Sequence, residues 1–206
     1  MAREVLFVVD ASDSMNSLFG GAEDTTKFVA LTRAFEMFFN TTSAKQKEQT
    51  ERIRMGLFCY KTVMPPERTV FELVYPIRFF PPIPHIDDLR KIKPRGSSPT
   101  GEAIVYGLEL LSRTPRNRKI MGVITGDCRS NFQMSIGDLP ETVVPTALRY
   151  GINFSLLQVG FPKRSEFTEL VDALQSVFIQ NPFGGPKIAI TVRQIRNWIE
   201  AVLERV

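Results

Sequence analysis

The chain has 206 residues, long enough to bury a full core and short enough for one domain. Apolar residues make up 43% and charged residues 23%, the balance of an ordinary soluble globular protein. The net charge of +4 permits an acidic partner without requiring one, and no stretch approaches the roughly 20 apolar residues that a membrane span needs. The apolar start is brief and runs into an aspartate, so no signal peptide is expected and the cytoplasm is the default compartment. Cys59 and Cys128 show no paired spacing, which suits a reducing compartment and inert thiols.

Residues 4–9 are almost continuously apolar and rich in valine, as in a strand buried on both faces of a parallel sheet. Residues 15–24 read as a loop, with Asp24 capping a helix from 25 to about 40. Phe28, Leu31, Phe35 and Phe38 recur there at helical spacing. Polar residues 41–51 read as an exposed loop or a frayed helix end. Residues 54–60 form a second strand, with Met55, Leu57 and Cys59 on one face. Residues 69–75 form an edge strand, because prolines crowd the stretch from 65 to 84. Residues 79–84 then read as a stiff loop folded over the core, with docking as a second reading.

Further helices are expected at 86–92, 102–112, 139–150 and 165–174, with Pro145 distorting the third of these. Ile104, Leu108 and Leu111 make the buried stripe of the second. Strands are expected at 119–125, 152–159 and 176–180. Val192, Ile195, Ile199 and Val202 mark a last helix, with Trp198 beside the stripe. Strands alternating with helices imply a three-layer α/β/α, doubly wound and mainly parallel sheet with one antiparallel edge strand, spanning 1–206 as one domain.

The chemistry gathers at strand ends. Asp10, Ser12 and Ser14 place three oxygen side chains at alternate positions after the first strand, where open α/β sheets hold ligands. One carboxylate with two hydroxyls is a hard, oxygen-only set suited to Mg2+ or Mn2+. Singly, such residues are turn formers or helix caps. Two further loops, 96–101 and 126–131, also carry hydroxyls and a carboxylate.

Taken together, strand–Asp-x-Ser-x-Ser, then Gly96-Ser97-Ser98-Pro99-Thr100-Gly101 opening a helix, then strand–Thr125-Gly126-Asp127, resembles the von Willebrand factor type A domain. The resemblance implies a metal-ion-dependent adhesion site. Carried over, Asp10, Ser12 and Ser14 match its first motif, and Ser98 stands where threonine is usual. The third motif departs: the family has Thr-Asp-Gly, so Gly126 falls on the ligand position, and Asp127 reaches the metal only if the loop bulges. The resemblance implies recognition rather than turnover, with a partner's acidic residue completing the coordination of the cation. An adaptor or a subunit of a larger assembly follows, with an AAA+ ATPase as a partner class. The alternative is a metal-free scaffold in a nucleic-acid-associated complex.

Enzyme readings lack parts. Haloacid dehalogenase phosphatases also begin strand–Asp but need a second aspartate where Ser12 stands. Gly184-Gly185-Pro186-Lys187 lacks phosphate-loop spacing. The single histidine, His85, lies in the proline-rich loop, too few for a triad or a zinc cluster. Basic clusters at Arg90, Lys91, Lys93 and Arg95, and at Arg113, Arg116, Arg118 and Lys119, read as solvated faces or patches for acidic partners.

Overall fold

The structure, a computed structural model, describes residues 3–20, 23–41, 53–63, 68–79, 86–113, 118–126, 134–160, 164–178 and 187–204. The segments 42–51 and 80–84, His85, Arg116, Asp127 and Cys128 lie outside the described residues.

Strand β1 (Arg3–Asp10) carries five consecutive side chains, Val5 to Val9, with no solvent exposure. That is why it sits in the middle. A 3-10 turn (Asp13–Asn16) follows, then a small antiparallel hairpin of β2 (Leu18–Gly20) and β3 (Glu23–Thr26). Here the expectation of a loop is corrected. Asp24 is in β3 rather than capping a helix, and α1 spans Lys27–Thr41. At three and four residues, the hairpin's strands are too short to show a period-2 pattern.

Strand β4 (Ile53–Val63) pairs parallel with β1, and β5 (Arg68–Phe79) pairs antiparallel with β4 at the sheet edge. Strand β5 runs past the expected end, through Pro76. The β4–β5 register shifts there: the two steps from Met55 to Leu57 face three from Arg78 to Tyr75, so the extra residue lies in β5 beside that proline. A missing N–H is tolerated at an edge and at a bulge. Then come α2 (Ile86–Lys91), α3 (Thr100–Ser112) and β6 (Arg118–Thr125). The expected long helix is two, α4 (Leu139–Thr142) and α5 (Val144–Tyr150), broken at Val143 ahead of Pro145. Strand β7 (Ile152–Val159), α6 (Arg164–Leu174), β8 (Lys187–Ala189) and α7 (Val192–Glu204) complete the chain.

The last strand also needs correction. Residues 175–177 form a 3-10 turn and Phe178 makes only an isolated bridge to Phe154. The sixth strand is β8, three residues long. The sheet order is β5-β4-β1-β6-β7-β8, parallel except for β5. One face packs on α1 and α7 through Phe7, Phe35 and Trp198; Phe7 and Phe35 meet edge-to-face at 5.3 Å. The other face packs on α3 to α6 through Leu6, Val8, Leu108 and Phe154. Met55, Leu57 and Cys59 share the first face, as expected, and burial pushes the Cys59 thiol well up, so it is inert. No helix of the described residues is long and apolar enough to cross a membrane.

Candidate metal centre

After β1 the chain builds two strands on one side and then returns to the other, so the order reverses between β1 and β6. The crevice beyond that switch point is where such sheets bind ligands. Asp10 ends β1 and Thr125 ends β6.

Asp10 is fully buried, and its donors come from three segments far apart in sequence. The Ser12 N–H donates to Oδ1 at 2.8 Å. The Ser98 hydroxyl, the Thr125 hydroxyl and the Gly126 N–H donate to Oδ2 at 3.0, 3.3 and 3.2 Å. Because Ser98 spends its proton on Asp10, the 3.0 Å contact between Ser98 Oγ and Thr100 Oγ1 has Thr100 as donor. The Tyr60 hydroxyl then donates to Thr100 at 3.1 Å. A directed chain, Tyr60 to Thr100 to Ser98 to Asp10, fixes the carboxylate.

Ser12 Oγ and Ser14 Oγ lie 3.0 Å apart. Ser12 and Ser98 are buried, whereas Ser14 is half-buried and forms the rim. Asp13, between them, is exposed; its backbone N–H donates to the Gly96 carbonyl at 2.9 Å. The structure thus brings Asp10, Ser12, Ser14 and Ser98 together at one sheet edge.

The donor set fits a hard divalent cation. Cis oxygens around a cation bound at 2.0–2.1 Å are about 3 Å apart, the spacing of both Ser12–Ser14 and Ser98–Asp10. Ser98 donates once and accepts once, which leaves a lone pair of its oxygen for a metal. All the atoms are oxygens, the set that magnesium or manganese prefers.

Position 126 tests the third motif. Thr125 keeps the strand register opposite Gln158. A Cβ placed on Gly126 would come 2.6 Å from Ser14 Oγ and 2.9 Å from Met15 Sδ. A side chain there would therefore point into the oxygen cluster, and this chain supplies none. Among the described residues, no group of three or more histidine, cysteine, aspartate or glutamate side chains could hold a metal. Asp127 lies outside the described residues, so Asp10 is the carboxylate this geometry provides.

Some residues escaped the sequence reading. The Lys27 ammonium is buried and donates to the Gly126 carbonyl at 3.1 Å. Its stem lies where a Cβ at Gly160 would stand, 2.6 Å from Lys27 Cε, and Gly160 has φ 88°. Lysine at the start of an amphipathic helix reads as surface, so only the three-dimensional contact with Gly126 reveals it. Gln158, beside Thr125 in β7, is fully buried, and among the described residues neither its side-chain nitrogen nor its oxygen is hydrogen-bonded. In a strand sequence it looks like any polar alternate position. Lys119, expected within a basic surface cluster, is instead fully buried at the opposite end of the sheet.

No protein-family model matches the chain, and no curated protein sequence matches it. Solved structures do. The PilB minor pilin from Streptococcus sanguinis superposes with a TM-score of 0.69 at 12% identity, over 100% of this chain and 61% of that one. The chain thus spans about three fifths of that pilin structure. The SpRpn10 VWA domain gives 0.64 at 12% identity, over 98% of this chain and 95% of that one. Proximal thread matrix protein 1 from the mussel byssus, with a zinc-occupied metal-ion-dependent adhesion motif, gives 0.60 at 12% identity, over 99% and 45%. Strand order, switch-point crevice and these superpositions agree: the chain has the von Willebrand factor type A domain fold.

Proposed function

We propose that this protein is a protein-binding module whose Asp10, Ser12, Ser14 and Ser98 hold Mg2+ or Mn2+, with a partner's carboxylate as the recognised group. The observation that carries the reading is the convergence of those four side chains, with 3.0 Å oxygen spacings, at the switch point of the sheet. The zinc-occupied motif of the byssus protein supports a divalent ion at this place in the fold. A bound cation would supply an open coordination position for a carboxylate oxygen. The chain's own residues do the rest. Ser98 and Thr125 aim Asp10, the Tyr60–Thr100 pair aims Ser98, and Lys27 fixes the Gly126 carbonyl. The role proposed for it is binding, as an adaptor or an assembly subunit. An AAA+ ATPase is the partner class that the family resemblance suggests.

A second reading rests on Gly126. Its N–H bonds Asp10 directly, and no carboxylate stands at its position. The same hydrogen bonds would hold the edge closed without metal, as in a scaffold of a nucleic-acid-associated assembly. Calorimetric titration with Mg2+ and Mn2+ separates the two. Saturable binding by the parent, absent from Asp10→Ala, is the expected result, and weakening in Asp127→Ala would add that residue to the ligand set. Equal heats from the parent and Asp10→Ala would reject the metal site.

A further inference from the structure

A cleft of about 510 Å³ opens between α1 and α2, within the range of specific binding pockets. Its floor is buried and largely apolar: Phe28, Thr32 and Ile92. Val29 stands on its wall with 42% exposure. Leu18, paired with the cleft-lining Thr26 in the hairpin, is 68% exposed. The rim is basic. Arg33, Arg90 and Lys93 line it, against the single acidic residue Glu36. Arg90 is already engaged, with Glu36 at 2.6 Å and Asp87 at 3.3 Å. Arg33 and Lys93 are exposed, and among the described residues neither makes an ion pair.

This cleft is joined to the Asp10 crevice. Asn16, two residues after Ser14, lines its end and donates through Nδ2 to the Pro94 carbonyl at 2.8 Å. The Arg95 N–H donates to the Ala11 carbonyl at 2.8 Å, and the Asp13 N–H to the Gly96 carbonyl at 2.9 Å. The strap 94–96 is thus stitched to the turn that carries Ser12 and Ser14. The cleft-lining Asn16 and Pro94 are therefore contiguous with the residues that carry the Asp10 crevice.

We propose that the α1–α2 cleft binds an acidic, partly apolar peptide segment of the partner protein, continuing from the residue whose carboxylate enters the Asp10 crevice. The proposal rests on the binding-module reading and specifies the partner. Acidic side chains meet Arg33 and Lys93, and an apolar one covers Val29 and Ile92. Duplex nucleic acid fits less well. Duplex binding draws its affinity from many phosphate contacts, whereas this cleft offers two cations outside any ion pair among the described residues, over an apolar floor.

The test is fluorescence anisotropy with synthetic 12-residue peptides alternating Glu and Leu, and the same peptides with Lys for Glu. Each is titrated against the parent, Asp10→Ala, and the double variant Arg33→Glu/Lys93→Glu, in Mg2+ and in EDTA. The acidic peptides should bind the parent and the lysine peptides should not. Charge reversal should weaken the acidic peptides on the order of tenfold in both buffers, and leave Mg2+ heats unchanged. Sensitivity to charge reversal in EDTA, with Asp10→Ala behaving as the parent, would keep the cleft and remove the metal reading. Mg2+-dependent binding that ignores the charge reversal would do the opposite. No acidic peptide preferring the parent to the double variant, or a DNA duplex binding more tightly than the peptides and lost in that variant, overturns the proposal.

Discussion

The two ends of β1 each bury a carboxylate, and they satisfy it differently. At the N-terminal end, Glu4 is fully buried and its carboxylate meets the Arg54 guanidinium at 2.6 Å. At the C-terminal end, the donors to Asp10 described above are hydroxyls and backbone amides. A carboxylate answered by arginine is neutralised within the protein. One answered by neutral dipoles is held in place with its charge available, and the hydroxyls keep lone pairs free for a cation. The strand therefore joins a structural end to a receptive one, and the difference lies in which donors the neighbouring strands supply.

The largest expected effect comes from removing each carboxylate. Asp10→Ala leaves the Ser98, Thr125 and Gly126 donors without their shared acceptor, at a cost on the order of 2–4 kcal/mol. Metal binding should vanish with it. Glu4→Ala should cost less, about 1–3 kcal/mol, because Arg54 is partly exposed and water can rescue its guanidinium. Metal binding should survive. Thermal unfolding and Mg2+ calorimetry on both variants measure this directly. If Glu4→Ala abolished metal binding as Asp10→Ala does, the division between the two ends would be wrong.

Gly126→Ala probes the receptive end more gently. The new Cβ would press on Ser14 Oγ and Met15 Sδ. Ser14 is half-buried and can yield, so a loss of about 1–2 kcal/mol is expected, with weaker Mg2+ binding because Ser14 leaves Ser12. Unchanged affinity in this variant would show that Ser14 is not a ligand.

Much of the receptive end was legible in the sequence. Asp10, Ser12 and Ser14 stood out because a two-faced apolar run announces a central strand, and the residues after it must lie at the sheet edge. Ser98 stood out by motif. What stayed hidden depends on distance in the chain. The Lys27–Gly126 contact spans 99 residues and links two elements that helix and strand periodicity treat separately. Strand β8 was misplaced because three residues, Lys187–Ala189, are too few to show a pattern, while the apolar Val177 and Phe178 nearby looked more like a strand. The edge strand β5 runs past Tyr75, where the sequence reading ends it, because Pro76 normally ends a strand and the bulge that accommodates it, an extra β5 residue opposite Met55–Leu57, shows only in the pairing register.

The structural end holds one more charge, and it predicts a gain. Lys119 lies beside Glu4 in the β1–β6 register, fully buried, and among the described residues its ammonium has no hydrogen-bond partner. The Tyr150 ring centroid, 5.8 Å away, offers weak compensation. Burial lowers its pKa from the usual 10.5, although Glu4 works the other way. The folded state therefore holds this proton less tightly than the unfolded chain does. The penalty is complete below the folded pKa and fades as pH rises through it toward 10.5. Lys119→Met keeps the stem's volume and removes the orphaned charge, so it should stabilise by about 1 kcal/mol, or roughly 2–4 °C in Tm for a chain of this size. The gap between variant and parent should be widest near neutral pH and close on the alkaline side. A destabilised variant would mean that Glu4 needs Lys119 as well as Arg54, making that end a three-membered charge network rather than a simple pair.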